Sequence, residues 1–128
     1  MDVVIIDYKM SNLHSVHAAC KKVGINSHIS SKPKDLMNAK VAILPGVGAF
    51  REAMSQLKDL KLISAIKDFL KTGRPFFGIC LGMQLLFESS DEFGFQKGLG
   101  IIPGKVKKFK LKSTNNQKYP VPQVGWNK

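Results

Sequence analysis

Three short apolar runs, each closed by a turn signal and followed by a stretch of helical spacing, constrain this chain more than any other feature. They are Val3–Ile6, Val41–Leu44 and Pro75–Ile79, with a weaker fourth run at Asn26–Ser30. Runs this short and this uniformly apolar read as strands buried on both sides, which is the signature of a parallel sheet. The segments between them read as helices. Ser11-Asn12 caps one whose apolar positions are Leu13, Val16, Ala19-Cys20 and Val23, and Gly24 supplies the left-handed residue that ends it. A short helical stretch is expected around Leu36-Met37, longer ones over Phe50–Leu57 and Leu60–Leu70, and another over Leu81–Phe87. Strand and helix alternating over short links give an α/β fold, a doubly wound, mostly parallel sheet covered on both faces. From Gly98 the pattern changes to a turn-rich stretch, then a strand over Lys105–Lys112 and a loop at Asn115-Asn116.

Composition narrows the class. With 128 residues, 44% hydrophobic and 23% charged, the chain can fill one core, so residues 1–128 are read as a single domain. No apolar run approaches the ~18–20 residues that span a bilayer, so no membrane partner is expected. The start, Met1–Asp7, lacks a basic region and carries only four apolar residues between its acids, which is not a secretory signal. The expected location is cytoplasmic. Two cysteines, Cys20 and Cys80, with no CxxC, exclude a disulfide scaffold and a four-ligand zinc site; neither metal nor cofactor is expected.

Charge is uneven. All nine acids lie at or before Glu92, accompanied by twelve bases, whereas eight lysines and no acid follow Phe93. Such a basic end suits an anionic partner, a blunted edge strand or a solvated face. The aromatics near Lys105–Lys112 are only Phe109 and Tyr119, and no RNA or DNA motif is present, so nucleic acid is not the expected partner.

In open parallel sheets, ligands bind beyond the carboxyl ends of the strands. That places Asp7–Asn12, Pro45–Phe50 and Cys80–Gln84 at one edge. Within the last of these, Gly78-Ile79-Cys80-Leu81-Gly82 has the form of a nucleophile elbow with cysteine at its apex. A side chain on a tight strand-to-helix turn needs neighbours without bulk two residues away. The turn sets the sulfur over a helix N-terminus whose free N–H groups favour negative charge, and the Leu81 N–H is placed to stabilise an oxyanion. Cys20, on the apolar stripe of the first helix, reads as core. Pro45-Gly46-Val47-Gly48-Ala49-Phe50 is neither a dinucleotide fingerprint, since Arg51 takes the third glycine position, nor a P-loop. Beside Cys80 it reads as the second wall of an oxyanion site. The available bases are His14, His17 and His28; only His14 is in position to face the strand ends, and no His-x-Glu pair occurs.

These residues together resemble the glutaminase subunits of imidazole glycerol phosphate synthases, within the class I (triad) glutamine amidotransferases. The matching stretches are Asp7-Tyr8, Asn12-Leu13 and Ser15-Val16, Leu44 to Phe50, Gly78 to Ser90, Gly98 to Gly104, Val121-Pro122 and Gly125-Trp126-Asn127. The resemblance implies hydrolysis of glutamine and transfer of ammonia to a (β/α)8 cyclase subunit in histidine biosynthesis. It implies Cys80 as nucleophile, the Val47 and Leu81 amides as oxyanion hole (the former after a peptide flip), and Gly48, Gln84 and Glu92 around the substrate. Asn12 and Trp126 would lie at the subunit interface. Three departures accompany it. Lys9-Met10-Ser11 replaces a glycine-bearing turn, Gln123 replaces a histidine, and the family's His-Pro-Glu motif is not among the 128 residues. The expectation is therefore an N-terminal portion of one amidotransferase domain, C-terminally truncated. Two other readings share these motifs: a paralogue supplying ammonia for amidination of a surface-polysaccharide sugar, and a non-catalytic partner-binding module.

Overall fold

A computed structural model describes residues 2–10 and 12–107. Strands β1 (Val3–Ile6), β2 (Ser27–Ser30), β3 (Val41–Leu44) and β4 (Phe76–Gly78) form a parallel sheet in the order β2-β1-β3-β4. The helices between them are α1 (Leu13–Lys22), α2 (Pro33–Asn38), α3 (Phe50–Asp59) and α4 (Leu62–Lys71), followed by the single turn α5 (Leu81–Gln84).

Alternation along each strand divides the core in two. Val4, Ile6, Ala42 and Leu44 pack against α2–α5 in the larger cluster, whose fully buried members include Leu57, Ile66 and Phe69. Val3, Ile5 and Ile43 turn to the other face and meet Leu13, Val16 and Cys20 of α1. Cys20 is thus a core residue, as its place on the helical stripe predicts. α1 ends where expected, with Gly24 at φ +80°.

Two segments differ from the sequence reading. The helix expected over Leu81–Phe87 stops at Gln84, and Phe87–Ser90 is a strand, β5. The cause is long-range pairing. The Leu85 carbonyl accepts the Leu99 N–H, and the Leu86 carbonyl accepts those of Ile101 and Ile102, so the backbone is claimed by chain ten or more residues away. β5 is the centre of a second sheet, antiparallel to β6 (Gln96–Lys97) and parallel to β7 (Ile102–Val106). β7 also begins three residues before the expected Lys105. β7 ends at Val106, one residue before Lys107, and residues 108–112 of that expected strand, the loop at Asn115-Asn116, Gln123 and Trp126 lie outside the described residues. Among the described residues, no helix is long and apolar enough to cross a membrane.

Candidate active site

The carboxyl ends of β1, β3 and β4 bring the three segments singled out above to one edge. At the end of β4 the chain turns sharply, and Cys80 takes φ +53°, ψ −122° before α5 starts at Leu81. A non-glycine residue in that region costs about 1–3 kcal/mol and persists only where its surroundings impose it. Here they do. A Cβ on Gly82 would collide with the Leu44 carbonyl, and one on Gly78 would lie 2.8 Å from the Met83 Cα. Both glycines are therefore demanded by contact rather than by flexibility. The Cys80 side chain is exposed. This is the elbow that the Gly-x-Cys-x-Gly spacing predicts.

The second wall is Pro45–Gly48, between β3 and α3. Tyr8, fully buried at the end of β1, donates its hydroxyl to the Pro45 carbonyl at 2.5 Å. Burial pushes the Tyr8 phenol well above its ordinary value of 10.0, so it holds its proton and stays a donor. A Cβ on Gly46 would collide with that hydroxyl and lie 3.0 Å from the Gly82 nitrogen, so this position too admits no side chain. Tyr8 thus positions the Pro45–Gly48 loop, a role that the sequence motifs do not assign to it. The available signal was a tyrosine directly after a fully buried strand, where its hydroxyl needs a partner.

Both amides expected to bind an oxyanion are engaged. The Leu81 N–H donates to the Gly46 carbonyl at 3.2 Å, and the Val47 N–H donates to the Met10 carbonyl at 2.7 Å. Gly46 C=O and Val47 N–H belong to one peptide unit, so a single plane occupies the Leu81 donor and turns the Val47 donor away. The remaining N–H groups of α5 are satisfied as well: Gly82 by Ile79, and Met83 and Gln84 by Cys80. The free N–H groups expected beneath the sulfur are not free in this conformation, because the turn closes on its own carbonyls. Reversing the Gly46–Val47 peptide would release both donors together.

Gly48 is exposed at φ +110°, one residue past that peptide. Gln84 lies half-buried one helical turn after Cys80, and Glu92 lies half-buried past the end of β5, its N–H donating to Ser90 Oγ at 3.4 Å. A concavity of about 370 Å³ opens between Ala49–Glu52 and Ser90, Phe93, Gly94 and Gln96. Asn12 caps α1, its Oδ1 accepting the Ser15 N–H at 3.4 Å. Just before it, Lys9 adopts the left-handed φ of +67° and donates its N–H to Asp7 Oδ1 at 3.1 Å, so the turn forms without glycine. Of the histidines, His14 and His28 are exposed and His17 Nδ1 pairs with Ser27 Oγ at 2.8 Å. None is hydrogen-bonded to Cys80. Among the described residues no group of His, Cys, Asp and Glu could hold a metal ion.

Comparison with known proteins agrees with this geometry. The family model for glutamine amidotransferase class-I matches residues 4–123. The imidazole glycerol phosphate synthase subunit HisH of Acaryochloris marina is 46% identical over 125 residues, covering 98% of this chain and 56% of that protein. The subunit of the same name from Bacillus subtilis is 47% identical over 124 residues, covering 97% and 58%. The chain thus spans well under two thirds of the length of these curated relatives. Among solved structures, a glutamine amidotransferase superposes with a TM-score of 0.70 at 21% identity, covering 82% of this chain and 55% of that one. A putative peptidase E from Listeria monocytogenes superposes at 0.64 with 12% identity, covering 79% and 62%. At such identities the two structures speak to the fold alone. Elbow, glycine loop, sheet order and sequence likeness converge: the chain belongs to the class-I glutamine amidotransferase family.

Proposed function

We propose that this chain carries the nucleophile-bearing part of a glutaminase that supplies ammonia to a (β/α)8 cyclase subunit for imidazole glycerol phosphate synthesis. The observation that carries the reading is the exposed Cys80 at its strained φ, clamped between two glycines that have no room for a side chain. In this mechanism the Cys80 sulfur attacks the glutamine amide carbon, the C–N bond breaks, and the thiol proton leaves with the nitrogen as ammonia. Water then cleaves the γ-glutamyl thioester, giving glutamate and restoring the thiol. Reversal of the Gly46–Val47 peptide presents the Leu81 and Val47 amides to the oxyanion. Gly48, Gln84 and Glu92 hold the substrate, the Glu92 carboxylate suiting its α-ammonium group. Asn12 and Trp126 serve the subunit interface.

Proton transfer is where turnover is limited. No described histidine reaches Cys80, and general acid–base help is worth about 10²–10⁴-fold. We expect an electrophilic glutamine analogue to alkylate Cys80 of the 128-residue chain, while glutamine turnover stays slow with or without the cyclase. Brisk glutamate release by the isolated chain would refute this division of labour. Absence of any glutamine-protected adduct would refute the glutaminase reading itself.

A further inference from the structure

Between α3, α4 and β6 lies a groove of about 510 Å³ that shares Arg51 and Gln96 with the concavity described above and whose other lining residues have no part in the proposed glutaminase chemistry. Four cations rim it: Arg51 and Lys58 from α3, Lys67 from α4 and Lys97 from β6. No aspartate or glutamate is in its lining, although Asp59 and Asp68 sit next to Lys58 and Lys67 in the sequence. Among the described residues, the ion pair formed is Lys40 with Asp2, so none of the four rim cations is neutralised by a carboxylate. Met54 and Ile63 give the groove an apolar floor, with Ser55 and Gln96 as neutral hydrogen-bonding groups.

Like charges converging on one concavity repel each other and focus a positive potential into it, which an anion relieves. The volume falls in the range of small-molecule sites, about 300–1,000 Å³. No aromatic side chain is in the lining, so the stacking platform of a single-stranded nucleic-acid site is missing. We infer that this groove binds a small, multiply phosphorylated ligand, its phosphates on Arg51, Lys58, Lys67 and Lys97 and its less polar body on Met54 and Ile63. Lys97 belongs to the lysine-rich sequence after Phe93, and the other three cations of the groove come from helices.

The test is calorimetric titration of the full 128-residue chain with ATP at low salt. Saturable binding at one ATP per chain is expected, displaced by inorganic tripolyphosphate and not by adenosine. Replacing two phosphate-facing cations, Lys58→Gln with Lys67→Gln, is expected to weaken binding by roughly tenfold or more. Both positions are exposed and glutamine is a good helix former, so the fold is retained, which a thermal melt verifies. Arg51→Gln is an independent variant with the same expected direction, and Cys80→Ala is expected to bind ATP unchanged. Failure to bind ATP, or equal binding by the Lys58/Lys67 and Arg51 variants, overturns the proposal. So does a long single-stranded oligonucleotide that binds several chains with the same affinity for wild type and variants, since the surplus charge would then be an unspecific surface. Lys58 and Lys67 line this groove and not the concavity beside Gly48, so the outcome of that double variant leaves the glutaminase reading untouched.

Discussion

The two walls of the active site are built on different principles. The elbow at Cys80 is held by hard contact: Gly78 and Gly82 are pressed so closely on neighbouring backbone that neither position has room for a side chain. The Pro45–Gly48 loop is held by hydrogen bonds, from Tyr8 to Pro45, from Val47 to Met10 and from Leu81 to Gly46. Contacts of the first kind are bistable only by unfolding, whereas hydrogen bonds can be exchanged for others at small net cost. The proposed nucleophile is therefore preplaced, and the proposed oxyanion donors are conditional.

The largest effect is expected at the rigid wall. Gly82→Ala drives a methyl into the Leu44 carbonyl at the centre of the sheet edge, and should cost about 3 kcal/mol or more, read as a fall in denaturation midpoint. On the hydrogen-bonded wall, Tyr8→Phe strands the buried Pro45 carbonyl and should cost about 1–3 kcal/mol while leaving the elbow intact. It has a pH signature too. The folded state keeps the Tyr8 proton above pH 10.0 while the unfolded chain releases it, so stability should fall by about 1.4 kcal/mol per pH unit above that point. The contribution is fully present below pH 10.0, and Tyr8→Phe should abolish that share of the alkaline loss. Gly48→Ala, at φ +110° with only the flexible Met10 Cε within reach, should cost about 1 kcal/mol and slow Cys80 acylation more than it lowers stability. Smallest of all, Gly24→Ala keeps only a backbone penalty of at most about 1 kcal/mol, since nothing lies within 4 Å, and should leave Cys80 reactivity unchanged.

The same contrast explains what could be read from the sequence. Val3–Ile6 and Val41–Leu44 were legible to the residue because a strand buried on both faces has no polar position to blur its ends. The elbow was legible because steric demand leaves glycines at fixed offsets. β5 was not, since Leu85-Leu86-Phe87 continues the helical apolar pattern and only pairing with residues 96–106 converts it to strand. The occupied state of the oxyanion donors was likewise invisible. It depends on the orientation of one peptide plane, which leaves no trace in residue identity. Tyr8 stood in plain view without a role, because its partner is a carbonyl 37 residues away.

The most direct measurement is the amide spectrum of ¹⁵N-labelled chain before and after Cys80 forms a hemithioacetal with the γ-semialdehyde analogue of glutamine. Because one peptide unit controls both donors, the Leu81 and Val47 resonances should move together on adduct formation, while those of Tyr8, Gly78 and Gly82 barely shift. An adduct that moves Leu81 while the Val47 amide keeps its bond to Met10 would contradict this coupling.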